Sequence, residues 1–298
     1  MEVGMAEHEE KRAGKPLKIA DSRYRKVVAY LLSFVLSLFL LLATVCAVAF
    51  MNALSERHII NTLGDEYYEG VLNTVVAAAE DITMPTGIDI SVVKGVFELE
   101  NVKRDVNGYI SAAFSGKEYV PDNEDADNRL YINVSEFLDS HDVTLVADKK
   151  ETIRAYIEEV NSEYAQYTKL PGLGIVSKYR AKYLKIALIA FIVLAGASVI
   201  IGAVIIKMYR HPHRGMRFIA YALGGTALMS LAAPLVLLIS GKYKGLNLTP
   251  EHFYRFAIRY IDSVLYSFIA AAAIWLALTA GCVTAIHFMR KKLLDKSK

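Results

Sequence analysis

The sequence predicts an all-α protein: a four-helix transmembrane bundle with a mostly helical extracytoplasmic domain inserted between the first and second spans. Three observations carry this expectation. Four apolar runs, residues 27–51, 184–206, 218–240 and 264–288, contain no acidic residue. Each is longer than the roughly 20 residues that a helix rising about 1.5 Å per residue needs to cross about 30 Å of hydrocarbon. Between the first two runs lies a polar stretch, 52–183, whose apolar residues recur at helical spacing.

The first run follows a basic tail, residues 1–26, and contains Ala47-Val48-Ala49, which resembles a signal-peptide cleavage site. Cleavable signals have apolar cores of about 7 to 15 residues, so this longer run is read as a retained anchor. Nor does Ala43-Thr44-Val45 place a small residue directly before Cys46, as a lipoprotein would. Pro234 is the only proline in the four runs, and a kink is expected there, with neighbouring helices satisfying the freed backbone groups.

Orientation follows from lysine and arginine. The tail 1–26 carries seven, the link 207–217 four (Lys207, Arg210, Arg214, Arg217) and the tail 289–298 five, which assigns all three to the cytoplasm. The stretch 52–183 and the loop 241–263 are then outside. Lys178, Arg180, Lys182, Lys185, Arg255 and Arg259 run against this pattern, although long segments translocate largely regardless of charge. The net charge of +3 therefore hides a division: 52–183 holds 23 acidic and 13 basic residues, the cytoplasmic segments six and 16.

That division bounds the partners. The basic tails are short, lack interleaved aromatics and suit the anionic face of the lipid bilayer, so no nucleic acid is expected. The acidic outer domain disfavours polyanions and leaves room for a cation, a small ligand or a basic protein partner. Cys46 and Cys282, the only cysteines, both lie in apolar runs, so the outer domain has no disulfide and must rely on its core. This favours a bacterial envelope.

Within the outer domain, Ile59, Ile60, Leu63, Tyr67, Val71, Leu72, Val75, Val76, Ala79 and Ile82 form one helical face. No proline or glycine separates Met51 from Ser55, so this helix is expected to continue from the first span and to stop around Pro85-Thr86-Gly87. A short helix is expected over 88–99. Val102, Val106, Tyr109, Ile110, Ala113 and Phe114 predict another helix, ending at Gly116. Periodicity fails over 117–129, and the acidic and amide residues 122–128 read as an exposed loop. A calcium loop starting at Asp125 would put Arg129 and Leu130 at the fifth-ligand and glycine positions, so the calcium reading is disfavoured. Asn133 with Glu136, and Asp148 with Glu151, have capping-box spacing and predict two helix starts. Ile153, Tyr156, Ile157, Val160, Tyr164 and Tyr167 form the face of the last outer helix, which ends near Pro171-Gly172.

The sequence offers no catalytic constellation, no cofactor-binding motif and no metal-ligand cluster, so no catalytic, cofactor or metal residue is expected. His211-Pro212-His213 offers two imidazoles without a third ligand, and Gly172-Leu173-Gly174 lacks the rest of a phosphate loop. No serine elbow is present, and the cytoplasmic segments are too short for a kinase or ATPase domain. Outer tyrosines sit mostly on the apolar faces, where core packing is the simpler reading. In the membrane, Ala273, Ala277, Gly281 and Ala285 recur every four residues, and Ala220 with Gly224, like Ser198 with Gly202, repeats that spacing. Small residues let helices approach closely, here in packing of the four spans or in a homo-oligomer. No ionisable residue lies near the centre of a run, which disfavours a coupled transporter.

Leu54, Ile59, Leu63, Tyr67-Tyr68 and Val71, followed by Val102-Lys103-Arg104-Asp105-Val106-Asn107, give most of the stretch 24–194 a pattern that resembles a group of four-span membrane proteins of Gram-positive, Clostridium-like bacteria. The resemblance implies the same anchor, helical outer domain and three-span return, and no activity. The expectation is a non-enzymatic sensor, scaffold or partner-binding protein of the envelope, with a channel or transporter subunit as the alternative.

Overall fold

The computed structural model describes residues 3–141 and 149–295, and among them there are helices and no strand. The chain divides into two compact units, one of Met1–Phe50, Ile186–Gly241 and Val264–Lys298, the other of Met51–Lys185 and Lys242–Ser263.

The first unit holds α1 (Val3–Val48), α7 (Pro212–Ser240) and the greater parts of α6 (Leu173–Lys207) and α8 (Glu251–Asp295). Four stretches are long and apolar enough to cross a membrane: Arg23–Ala53, Lys182–Lys207, Pro212–Ser240 and Glu251–Lys292. They contain the four predicted runs. Because lipid tails are as apolar as leucine, helices gain little by hiding apolar surface from them, and close packing and hydrogen bonds hold them together instead. The contact of α1 with α7 is built that way. Ala29 and Ala222 are buried, Ser33 donates to the Phe218 carbonyl at 2.7 Å, and Thr226 donates to the Ser37 carbonyl at 3.2 Å. Trp275 on α8 donates to Thr44 on α1 at 3.0 Å. Pro234 lies buried within α7, which runs through it.

The second unit is built around α2 (Glu56–Thr83), α3 (Leu99–Ser115), α4 (Glu124–Ser140) and α5 (Lys149–Thr168). The predicted apolar faces meet in one core, which includes Leu63, Val71 and Val75 of α2, Val102 and Val106 of α3, Leu130 and Val134 of α4, and Ile153 and Val160 of α5. Gly116 ends α3 in the left-handed conformation, where the sequence places that stop.

Several local expectations are corrected. The first outer helix does not run on from α1: a π-helical turn, Ala49–Ala53, is followed by Ser55 in an extended conformation, and α2 starts afresh at Glu56. Serine at a helix N-cap takes this non-helical geometry readily, which a search for proline and glycine overlooks. Inside α2 a second break falls at Gly64, with φ 68° and ψ 166°, a conformation open to glycine alone. The Leu63 carbonyl there accepts from Arg259 at 3.2 Å. The stretch 88–99 holds a 3₁₀ turn, Ile90–Val92, before α3 begins at Leu99. The acidic residues 122–128 are largely helical: Glu124, Asp125 and Asp127 occupy the first turn of α4, where the positive end of the helix dipole favours them. Asn133 is therefore inside a helix rather than capping one, and it donates to the Val92 carbonyl at 2.8 Å. Asp148, of the second expected capping box, lies outside the described residues. Finally, 241–263 is more than a loop. It contains a 3₁₀ turn, Lys242–Gly245, and the start of α8, whose Phe253, Phe256 and Tyr260 join the core of this unit.

Candidate functional site

Among the described residues of the polar unit one carboxylate is wholly removed from solvent, Asp105 of α3. It stands one helical turn from Val102 and beside Val106, on the face that α3 buries. Tyr119 donates to one carboxylate oxygen at 2.8 Å, Tyr164 of α5 donates to the other at 2.5 Å, and Arg104 Nε donates at 3.0 Å. Arg104 also donates to the Asp122 carbonyl at 2.9 Å. The segment after α3 is thereby tied down, with Tyr119 lying so close to Gly108 that a Cβ there would be 2.4 Å from the ring. Burial first, then the hydrogen bond to Asp105, raises the Tyr164 phenol well above its ordinary range. The same causes push Tyr119 up to about 12. Phenols held this firmly protonated are poor proton donors at neutral pH, and a fully buried carboxylate cannot reach a substrate. The cluster is a structural knot.

An accessible feature lies beside it. A cleft of about 570 Å³ opens between α4 and α5. Asp127, Asn128 and Tyr131 line it from α4, and Arg154, Glu158 and Asn161 from α5. Asn161 donates to Asp127 at 2.8 Å and accepts from Asn123 at 3.0 Å, which fixes the amide and one carboxylate in place. The walls thus present both charge signs, amides and an aromatic ring. Such a mixture offers hydrogen-bond donors and acceptors to polar groups. Neither Asp105 nor the cleft was singled out from the sequence. A lone acid in phase with an apolar face is the available signal for Asp105, whereas the cleft has none, since Asp127 and Asn128 read as part of an exposed loop and Arg154, Glu158 and Asn161 as a solvated helix surface.

The predicted packing residues fall into two groups. Ala220 is buried in α7, and a Cβ on Gly224 would meet Thr279 of α8 at 3.7 Å, so this pair lies where helices of one chain approach. On α8 itself, Ala273, Ala277 and Gly281 are exposed, Ala285 is half-buried, and nothing lies within 4 Å of a Cβ built on Gly281. The histidines are dispersed: His211 stacks on His213 at 5.6 Å, His252 packs edge-on to Tyr67, His141 stacks on Phe137, and His58 shares a hydrogen bond with Ser263 at 3.1 Å. Among the described residues no three histidine, cysteine or acidic side chains converge as metal ligands would. Three of the cations that run against the orientation pattern have local partners: Arg255 and Arg259 both hold Glu66, and Arg180 lies 4.5 Å over the Phe114 ring.

Compared with family models, curated proteins and solved structures, the chain matches none.

Proposed function

We propose that this is a multi-pass protein of a bacterial cell membrane, with both termini cytoplasmic, whose polar unit binds a small polar ligand or a protein partner outside the cytoplasm without catalysing a reaction. The cleft between α4 and α5 carries this reading, because it is an open concavity of that unit in which charges of both signs and hydrogen-bonded amides converge. The distribution of lysine and arginine supports the orientation, and the resemblance to four-span proteins of Gram-positive bacteria supports the setting. Reporters fused after Lys117 and after Lys298 would then reside in opposite compartments. A photo-crosslinker replacing Tyr131 in native membranes is expected to capture a defined partner, and Asp127→Asn with Glu158→Gln to abolish the capture. Identical adducts from both proteins would reject the cleft as the binding site.

A second reading has its own support. The exposed faces of Ala273, Ala277 and Gly281 suit close approach of another apolar helix, as in a homo-oligomeric channel or a transporter subunit. Ion flux in liposomes holding only this chain, together with oligomers lost on Gly281→Leu, would favour it over the first.

A further inference from the structure

At one end of the apolar-helix unit, α1, α7, the α6–α7 turn and α8 surround a cleft of about 870 Å³. Its rim is cationic. Arg25 and Lys26 come from α1, Arg210 from the turn, Arg214 and Arg217 from the first turns of α7, and Arg290 from α8. Among the described residues no acidic side chain lines it, and the acidic residues of the whole unit are at 2, 7, 9, 10, 21 and 295. Among the described residues, Lys26, Arg210, Arg214, Arg217 and Arg290 form no ion pair. The floor is aromatic: Phe218 is buried, with Tyr30 edge-on at 5.0 Å and Tyr209 stacked at 5.5 Å. The Tyr209 hydroxyl is shielded from solvent and, among the described residues, has no hydrogen-bond partner.

The backbone is shaped to assemble this rim. A Cβ on Gly215 would lie 2.8 Å from Ile206 Cα and 2.9 Å from the Ile205 carbonyl oxygen, so only glycine lets α7 turn back this closely on α6. Arg210 is thereby brought to the same cleft as Arg214 and Arg217, which stand three residues apart on one helix face. Lys26, Arg210, Arg214, Arg217 and Arg290 are like charges gathered in one cleft, where they repel one another, and an anion in their midst relieves that repulsion. Guanidinium groups match phosphate oxygens with paired, directional hydrogen bonds, a fit that an arginine-rich rim favours over other anions.

The position of the cleft selects among phosphates. Lys26 directly precedes the first apolar run, Arg217 directly precedes the third, and Arg290 follows the fourth by two residues. These are the chain positions that lie at headgroup level in a bilayer. Tyr30 and Tyr221, both more than half exposed, supply an amphipathic wall beside the cations. We infer that this cleft is a binding site for the phosphate of an anionic phospholipid headgroup. It differs from the general attraction of basic tails to lipid in depending on particular arginines rather than on their number. The inference is independent of any partner of the polar unit.

The test uses the full-length chain in neutral detergent, titrated separately with dioctanoyl phosphatidylglycerol, dioctanoyl phosphatidylcholine and inorganic pyrophosphate, with binding read by native mass spectrometry. Phosphatidylglycerol is expected to bind about tenfold more tightly than phosphatidylcholine. Arg214→Gln with Arg217→Gln should weaken it about tenfold, whereas Lys291→Gln with Lys292→Gln, which removes the same charge outside the cleft, should leave it within about twofold. Arg290→Gln, at an exposed position that folding does not need, should weaken it about threefold and guards against a misfolded double variant. Equal losses in the two double variants, or equal binding of the two lipids, would overturn the site. Pyrophosphate binding more tightly than phosphatidylglycerol, with the same arginine dependence, would overturn the lipid as its occupant in favour of a soluble phosphate.

Discussion

The apolar-helix unit holds six acidic and 16 basic residues, the polar unit 25 and 18, and the two reach stability by different physics. In the polar unit, water drives apolar side chains into a single core, and the polar groups trapped there must find partners, as Asp105 does with Tyr119 and Tyr164. The apolar-helix unit buries little inside itself: its cluster consists of Ala29, Leu36, Ile205, Phe218 and Ala222. Many of its large aliphatic side chains are exposed, and hydroxyl groups of Ser33, Thr44 and Thr226 link one helix to the next. The same kind of substitution is therefore expected to have consequences of very different size in the two units.

The largest difference should appear at Asp105. Asp105→Ala leaves the Tyr164 hydroxyl buried without an acceptor and releases Arg104 and Tyr119, and each buried donor left unsatisfied costs about 1–3 kcal/mol. Thermal unfolding of the full chain in detergent, followed by near-ultraviolet circular dichroism, is expected to show the polar unit melting far earlier. Thr44→Ala, which removes an acceptor from Trp275, should shift unfolding by only about 1 kcal/mol. If the two substitutions are equivalent, the buried carboxylate is not what ties α3 to α5.

Core leucines provide the next comparison. Leu130 is fully buried in α4, and Leu130→Ala should cost about 2–5 kcal/mol through lost burial and the cavity left behind. Leu276 in α8 is 49% exposed, and when that face meets lipid, Leu276→Ala should cost less than about 0.5 kcal/mol. A large loss at Leu276 in detergent and in bilayers alike would mean that its face is covered by protein, which would sharpen the case for oligomers.

How far these features could be read from the sequence depends on the range of the interaction. The faces of α2, α3 and α5 were legible because period is local: Leu63, Val71 and Val75, or Ile153 and Val160, announce a buried stripe without reference to anything else. The break at Gly64 was hidden because the apolar pattern continues through it, and the group that receives the freed carbonyl, Arg259, is 196 residues away from Leu63. Residues 122–128 were misread for a different reason. Acidic residues suit both exposed loops and helix N-termini, and composition alone does not separate the two. Phe253, Phe256 and Tyr260 recur at helical spacing, but in a short link between apolar runs their period was overlooked. The arginines around the α6–α7 turn were legible as markers of orientation, whereas their convergence with Arg25 and Arg290 exists only in three dimensions.

Alkaline pH separates the units further. A phenol whose pKa in the folded protein exceeds its ordinary value of 10.0 supports folding fully while pH stays below 10, and that support is lost as pH climbs toward the folded value. Tyr119, pushed up to about 12, and Tyr164, raised further by burial beside Asp105, place this loss above about pH 10. The unfolding temperature of the polar unit is expected to fall steeply between about pH 10 and 12, and Tyr119→Phe, which has no proton to lose, should blunt the fall. A profile unchanged by that substitution would place the alkaline transition elsewhere.

The smallest effect concerns Glu66, which holds Arg255 and Arg259 at the start of α8 and has its carboxyl lowered by the hydrogen bonds from these two arginines. All three side chains are about half exposed, so solvent screens the pairing and its contribution is modest. Because the folded pKa lies below the ordinary value of 4.5, this support is present above that pH and fades as acid protonates the carboxylate. Glu66→Gln should therefore lower the unfolding temperature slightly at neutral pH and not at all once pH falls below the folded pKa. The difference should also vanish in about 1 M salt, where the screening length shrinks to about 3 Å. Arg259 has a second role that salt does not remove, since it also donates to the Leu63 carbonyl at the Gly64 break. Arg259→Gln is accordingly expected to destabilise the polar unit more than Glu66→Gln does, and to keep part of its effect in high salt. Equal, fully salt-sensitive losses from the two substitutions would show that the break in α2 needs no donor from α8.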